Sequence, residues 1–265
     1  MEGLRMVWAL VSHSLRGRYR SITIWGIALG GLGALYVALY PAMSSLLQQY
    51  IDQAPQMQQF MGGIQGNMTI QQWMEMEFLN VLIPVALPFM VIILGARTVA
   101  GSEERKTLDL LLSNPVPRWQ ITAAALTTMG ISVAGVLVLT WILTYIAVPI
   151  AGVDLGPGAL AAALAALWPF CMLFGALSLL ISALVRRNVF AITIPAVILV
   201  ATYVINSLSE ATTSMRPLRY ASLLHYIGHP IQGDFPWAAI LGVLAITCVL
   251  TILAMKAFGR RDIFT

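Results

Sequence analysis

The sequence predicts an all-α integral membrane protein with six transmembrane helices, and three observations support this fold class. Hydrophobic residues make up 59% of the 265 residues, charged residues make up only 10%, and the mean hydropathy is +0.83. A soluble domain carries roughly 25% charged residues, so this chain lacks the polar side chains to cover a water-facing surface. Apolar stretches recur that each match the roughly 20 residues a helix needs to cross a bilayer. Basic residues fall in alternate connecting segments.

The predicted spans follow one another without a low-complexity linker or an obvious internal repeat. We therefore predict a single membrane domain over residues 1–265. Its spans are residues 21–41, 78–100, 120–148, 158–184, 189–207 and 236–258.

The distribution of Lys and Arg predicts the orientation of the spans. All but two of the 15 basic residues lie before the first span, between spans two and three, between spans four and five, or near the end of span six. The exceptions are Arg216 and Arg219. Cytoplasmic loops carry the excess of Lys and Arg in membrane proteins. We therefore expect both termini to be cytoplasmic, and an even number of spans agrees with this because it places both termini on the same side.

Residues 1–20 are predicted to form an interfacial helix before the first span. Hydrophobic side chains fall on one helical stripe and polar side chains fall opposite, which is typical of a helix lying among lipid headgroups. The alternative is a simple cytoplasmic extension of span one. The stripe consists of Leu4, Val7, Trp8, Val11 and Leu15, and it faces away from Arg5, Ser12, His13 and Arg16.

Two connections on the other side of the membrane are long, residues 42–77 and residues 208–235. The first contains neither Lys nor Arg, and its apolar spacing around residues 46–51 indicates a short amphipathic helix. The second is interrupted by Pro217, Pro230 and Pro236.

The most informative stretch is residues 101–119, GSEERKTLDLLLSNPVPRW, which we call the coupling segment. Ser102 can cap a helix, and Glu103 and Glu104 would then occupy its electropositive first turn. Pro115 and Pro117 forbid continuation of that helix. The pattern predicts a short, charged, amphipathic helix on the cytoplasmic side, suited to contact with a partner protein.

The run from Glu103 to Arg118 resembles the cytoplasmic loop of permease subunits of type-2 ABC exporters, which reads approximately E-E-x-G-T-L-[DE]-L-L-L-[AS]-x-P-[VI]-S-R. The chain departs at Lys106, where the family usually has Gly, and at Pro117, where it usually has Ser. Most of the chain takes part in the resemblance. Further similar positions are Tyr40–Pro41, Gly95–Ala96 and Arg260–Arg261–Asp262–Ile263.

The resemblance implies a transport subunit that contacts a separate cytoplasmic ATP-binding subunit through the coupling segment. It also implies a second permease copy or a paralogue that completes the substrate path, and a multi-pass location in a bacterial plasma (inner) membrane among membrane lipids. The apolar, charge-poor composition gives no indication of a nucleic-acid partner. The residues assigned to ATPase coupling are Glu103, Glu104, Thr107, Leu108, Asp109, Leu111, Leu112 and Arg118.

The chain contains no G-x-x-x-x-G-K-[ST] motif, and its only lysines, Lys106 and Lys256, follow no glycine-rich loop. We therefore expect no enzymatic activity and no cofactor in this chain, with ATP and Mg²⁺ bound by the partner. Zinc-protease and serine-hydrolase motifs are also absent from the sequence.

The central parts of the spans carry hydroxyls and one amide rather than charges, which favours an apolar or amphiphilic solute over an ion or proton path. This argument predicts a drug, antibiotic or lipid-like solute, and the resemblance implies that the direction of transport is export. The candidate path residues are Thr140, Thr144, Thr202, Tyr203 and Asn206, and Tyr145, Ser178 and Ser182 are further polar groups within the spans.

Two other functions remain open from the sequence. The methionines of residues 42–77, such as Met57 and Met61, could hold Cu(I), which would suit a permease for copper, sulfur or cofactor maturation. The chain could also be a membrane scaffold or sensor without transport activity. A nucleotide-binding partner, metal binding by the methionine-rich loop, and solute-dependent ATP hydrolysis distinguish these three functions.

Overall fold

A computed structural model describes residues 2–53, 68–104, 117–211, 217, 220, 222–228 and 230–260. The described residues form helices and turns and contain no strand. Six helices are long and apolar enough to cross a bilayer, which confirms the all-α membrane fold and the number of spans. They are α1 (Glu2–Gln53), α2 (Ile70–Ala96), α3 (Arg118–Ala151), α4 (Pro157–Leu184), α5 (Asn188–Ala211) and α6 (Trp237–Arg260).

Helix α1 is a single helix of 52 residues, Glu2–Gln53. The prediction of a separate interfacial helix at 1–20, a span at 21–41 and a further short helix near residue 50 is therefore wrong in its divisions. An amphipathic stripe cannot distinguish a helix lying on the membrane from one that continues into it, and no proline interrupts the helix before Pro41. At 1.5 Å per residue the helix is about 78 Å long, so it extends well beyond a hydrocarbon core of about 30 Å.

Helix α2 begins earlier than the predicted residue 78. Thr69 starts it with a capping box, in which its side chain accepts from the backbone N–H of Gln72 and the side chain of Gln72 accepts from the backbone N–H of Thr69. The middle of α2, Glu75–Leu82, is a π-helix, and α-helical geometry resumes at Ile83. Hydropathy missed the first turns because they carry polar residues, including Glu75, which the fold buries.

Helix α4 is the centre of the bundle and packs against α2, α3, α5 and α6. Gly95 of α2 and Gly175 of α4 allow the closest approach of two backbones. A Cβ atom on Gly95 would lie 2.8 Å from the carbonyl oxygen of Gly175, and a Cβ atom on Gly175 would lie 2.5 Å from Val91 Cγ1. Glycine at both positions therefore fixes the distance between α2 and α4.

Helix α1 packs mainly against α3, through the same kind of close contact. A Cβ atom on Gly26 would lie 2.6 Å from Cβ of Leu139. At the far end of α1 the bundle is joined by hydrogen bonds, because the Trp73 indole donates to the carbonyl oxygen of Tyr36 at 2.9 Å. These contacts hold α1 to α3 along its middle and to the first turns of α2 beyond it.

The 208–235 connection is shorter than predicted, because α5 continues to Ala211. Its described part contains two 3₁₀ turns, Leu224–Ile227 and Pro230–Gln232. The side chain of Gln232 donates a hydrogen bond to the carboxylate of Glu75. This contact provides the buried acid of α2 with a polar partner from the last connection.

Candidate functional site

The structure describes both ends of the coupling segment. Glu103, Glu104 and Arg118 lie in the described part of the chain. The remaining residues assigned to ATPase coupling lie within 105–116, outside the described residues. They are Thr107, Leu108, Asp109, Leu111 and Leu112.

The segment begins with a break in the helix that leads into it. After α2 ends at Ala96, a turn over residues 97–99 is followed by a five-residue helix, Ala100–Glu104, which we call the linker helix. The hydroxyl of Ser182 in α4 donates to the carbonyl oxygen of Ala96 at 2.9 Å and accepts from the backbone N–H of Ala100 at 2.9 Å. The hydroxyl therefore lies between the backbone N–H of Ala100 and the carbonyl oxygen of Ala96, which would bond to each other in a continuous α-helix. Insertion of a side chain into the helical ladder is a known cause of a kink.

Ser102 does not cap the start of a helix as predicted. It lies within the linker helix, and its hydroxyl donates to the carbonyl oxygen of Arg97 at 3.1 Å. Ser182 instead accepts from the backbone N–H groups of Val99 and Ala100, which a helix start leaves without intrahelical partners. The capping group comes from another span, and sequence spacing cannot show that.

Glu104 joins the linker helix to α5. Its carboxylate Oε1 accepts a hydrogen bond at 2.8 Å from the backbone N–H of Asn188, the first residue of α5. The start of a helix carries partial positive charge, so a carboxylate there is stabilising. Glu103 is half-buried beside it.

Arg118 joins the end of the coupling segment to the last helix. Its guanidinium Nη1 donates to the carbonyl oxygens of Phe258 at 3.0 Å and Gly259 at 3.3 Å, and the guanidinium lies 5.7 Å from the centre of the Phe258 ring. The last carbonyl groups of a helix have no intrahelical partner and attract cations. Arg118 therefore caps the carboxyl end of α6.

These contacts bring the coupling segment and five spans to one end of the bundle. The segment runs from α2 into α3, Ser182 connects the linker helix to α4, Glu104 connects it to α5, and Arg118 connects the segment to α6. We call this the basic end, because it collects arginines from several segments. They include Arg97, Arg118, Arg186, Arg187 and Arg260.

Ser178 strengthens the same region one turn further into the bundle. Its hydroxyl lies 2.7 Å from the carbonyl oxygen of Ile92 in α2 and 2.9 Å from that of Ala191 in α5. Ser178 and Ser182 were predicted only as polar groups within a span, and the structure shows both holding α2 against α4. Residues spaced by four on a helix share a face, which is the one sequence signal that could have paired them.

The five candidate path residues fall into two groups on different helices. Thr140 and Thr144 lie on α3, fully buried, and neither hydroxyl oxygen has a hydrogen-bond partner in the described part of the structure. A Cβ atom on Gly33 of α1 would lie 2.2 Å from Thr144 Oγ1. The hydroxyl of Thr144 therefore lies at the contact between α1 and α3.

The second group lies on α5. Thr202 is buried and its carbonyl oxygen accepts from the hydroxyl of Ser222 at 3.0 Å, whereas Tyr203 and Asn206 are half-buried. Asn206 lines a small cavity with His225 and with residues of α2. Of this group on α5, Asn206 lies beside an open space.

The described residues contain no group of three or more His, Cys, Asp or Glu side chains arranged to hold a metal ion. Met57 and Met61, the candidate Cu(I) ligands, lie outside the described residues. The two cysteines are not disulfide-bonded to each other; Cys171 is buried and Cys248 is exposed.

Six helices that can each cross a bilayer, with a connecting segment tied to several of them at the basic end, define a polytopic membrane protein. The family described as ABC-2 family transporter protein matches residues 8–263, nearly the whole chain. The chain belongs to this family, and the resemblance predicted from the coupling segment is confirmed. Among curated proteins, none matches the chain.

Proposed function

We propose that this chain is the permease subunit of an ATP-driven exporter for an apolar or amphiphilic solute, such as a drug, antibiotic or lipid-like molecule. A separate cytoplasmic subunit binds ATP and Mg²⁺ and contacts the coupling segment. A second copy of the chain, or a related permease, completes the path across a bacterial plasma membrane. The basic end lies in the cytoplasm, in agreement with the positive-inside rule.

The observation that carries this proposal is the set of hydrogen bonds at both ends of the coupling segment. A displacement of the segment acts on α2 and α3 through the chain itself. It also acts on α5 through the bond from Asn188 to Glu104, and on α6 through the bonds from Arg118 to the last carbonyl groups. A partner that moves this segment therefore moves four spans together, which alternating access requires.

The two groups of path residues would meet the solute at different stages. Tyr203 and Asn206 are half-buried and Asn206 lines a small cavity, so these two residues would contact solute without a movement of α1. Thr140 and Thr144 are buried, and Thr144 lies against Gly33 of α1, so Thr144 would contact solute only after α1 moves away from α3. Unpaired hydroxyls at a helix contact make that separation less costly, because no hydrogen bond is lost.

The first test is purification of the tagged chain from its native membranes in a mild detergent, with crosslinking and mass spectrometry of the associated proteins. We expect a stoichiometric partner with a nucleotide-binding P-loop, and ATP hydrolysis that rises with solute. A crosslinked preparation without such a protein would contradict the proposal and favour a scaffold or sensor.

Charge variants then test the docking site. Glu103→Arg is expected to lower co-purification of the ATPase about tenfold, the effect of about 1.4 kcal/mol. Glu104→Gln keeps an oxygen that accepts from the backbone N–H of Asn188 but removes the charge. It therefore distinguishes a loss of docking charge from a loss of the hydrogen bond at the start of α5. Asp154→Arg, at an exposed position in the connection between α3 and α4, is the matched control and should keep the partner. Equal losses in all three variants would refute a specific acidic docking site.

A further inference from the structure

A cleft opens between α1, α2 and α3 at the basic end. It has two adjoining lobes with volumes of about 250 Å³ and 540 Å³. Both lobes are lined by His13 and Arg18 of α1 and by Arg97 of the turn after α2. The contacts between α1 and α2 are concentrated at the opposite end, near Trp73, so the two helices leave this space between them.

The positive charge of the cleft is not balanced by acidic side chains among the described residues that line it. Arg18 is half-buried, Arg97 is exposed, and both residues line both lobes of the cleft. Among the described residues that line the cleft, none is Asp or Glu. Two like charges that share a partly desolvated space repel each other, and an anion bound between them would relieve the repulsion.

Part of the cleft's lining is apolar, and the rest includes serine and threonine side chains such as Ser14 and Ser102. Ile22, Leu94 and Met129 contribute hydrophobic wall. Arg97 directly follows the last residue of α2, Ala96, so its charge lies where a span leaves the hydrocarbon core. A ligand that fills this cleft needs an anionic group at the interface and an apolar part that follows α1 and α2 into the bilayer.

We propose that this cleft binds one anionic membrane lipid, with the headgroup phosphate between Arg18 and Arg97 and an acyl chain along the apolar wall. The planar guanidinium group presents paired N–H donors that match phosphate oxygens. Basic pockets between helices on the cytoplasmic side bind anionic headgroups in the same manner. The proposal requires only that the chain lie in a membrane, so it stands independently of the transport function.

The test is native mass spectrometry of the full chain in non-ionic detergent, titrated with phosphatidylglycerol and, separately, with phosphatidylcholine. We expect one phosphatidylglycerol to bind at least tenfold more tightly than phosphatidylcholine. Arg18→Gln and Arg97→Gln should each weaken phosphatidylglycerol binding about tenfold, the effect of losing a charge-assisted hydrogen bond. Arg97→Lys should weaken it less, because the charge remains.

Arg16→Gln is the matched control, because Arg16 is exposed on the same helix and does not line the cleft. It should bind phosphatidylglycerol as the unaltered chain does. Inorganic phosphate at millimolar concentration tests whether the cleft prefers a lipid headgroup or a free phosphate ion. It should fail to displace the lipid because it lacks an acyl chain. Ala125→Phe, which fills the apolar wall, should weaken lipid binding and leave the melting temperature unchanged.

Three results would overturn the proposal. The first is equal binding of both lipids, and the second is displacement of the lipid by inorganic phosphate, which would define a free-anion site. The third is unchanged lipid binding in the Arg18 and Arg97 variants together with loss of the ATPase partner. That last result would assign the cleft to protein docking.

Discussion

Replacement of Ser182 by alanine tests whether one hydroxyl determines the break between α2 and the linker helix. Ser182→Ala removes the acceptor for the backbone N–H groups of Val99 and Ala100, both buried, and the donor to Ala96. A buried backbone N–H without a partner costs about 1–3 kcal/mol, although interhelical hydrogen bonds in membranes average nearer 0.6 kcal/mol. We therefore expect a local loss of about 2 kcal/mol, which is roughly 30-fold in an opening equilibrium.

The assay is hydrogen exchange with mass spectrometry on the chain in detergent micelles. Exchange of the peptide that covers residues 97–104 should accelerate roughly 30-fold in Ser182→Ala. Ser132→Ala is the matched control, because the buried hydroxyl of Ser132 donates to Thr128 of its own helix at 2.7 Å, and that carbonyl belongs to the helical ladder. It should leave the 97–104 peptide unchanged.

Unchanged protection of residues 97–104 in Ser182→Ala would refute the argument. It would mean that Ala100 bonds directly to Ala96 and that α2 continues into the linker helix without help from α4. An equal acceleration in Ser132→Ala would also refute it, since the effect would then reflect general loosening of the bundle.

Two further predictions concern the contacts between spans. Gly175→Ala should destabilise the chain by about 1–3 kcal/mol in a denaturant titration in mixed micelles, because its Cβ would lie 2.5 Å from Val91 Cγ1 and a β-branched residue has little freedom to move aside. Arg118→Gln should lower the stability of the last turn of α6 by about 1 kcal/mol, seen as roughly fivefold faster exchange near Phe258 and Gly259.

Each of these has a control in the same chain. Gly242→Ala lies where an added Cβ meets nothing within 4 Å, so it should be neutral or stabilising by the helix preference for alanine over glycine. Destabilisation of equal size at both glycines would contradict the close contact at Gly175. Arg260→Gln removes an exposed charge from the same turn, and an effect equal to that of Arg118→Gln would show that net charge rather than capping is responsible.

The six spans could be predicted because the bilayer imposes a length and a composition that a sequence displays directly. The boundaries of α1 could not, because residues 2–20 and 42–53 are helical without being apolar enough to count as membrane-spanning. The first turns of α2 were missed for a related reason. Glu75 makes that stretch polar, and only the fold shows that the carboxylate is buried against Gln232.

The position of the coupling segment was predictable from its residues, whereas its connections to the bundle were not. Glu104 bonds to a backbone N–H 84 residues away, and a backbone donor has no signature in the sequence. In the sequence, Ser182 is similarly one of several hydroxyl-bearing residues within apolar helices. Its role depends on the kink that it creates in a different span.

Because α1 is one continuous helix, a tilt at one of its ends displaces the other end as well. Gly26 and Gly30 form its close contact with α3 and lie near the middle of Glu2–Gln53. On each side of this contact α1 extends for about 39 Å, at 1.5 Å per residue. A tilt of about 10° would carry each tip roughly 7 Å in opposite directions. A tilt of the Arg18 arm would therefore act, in the opposite direction, on the Tyr36–Trp73 contact where α1 is bonded to α2.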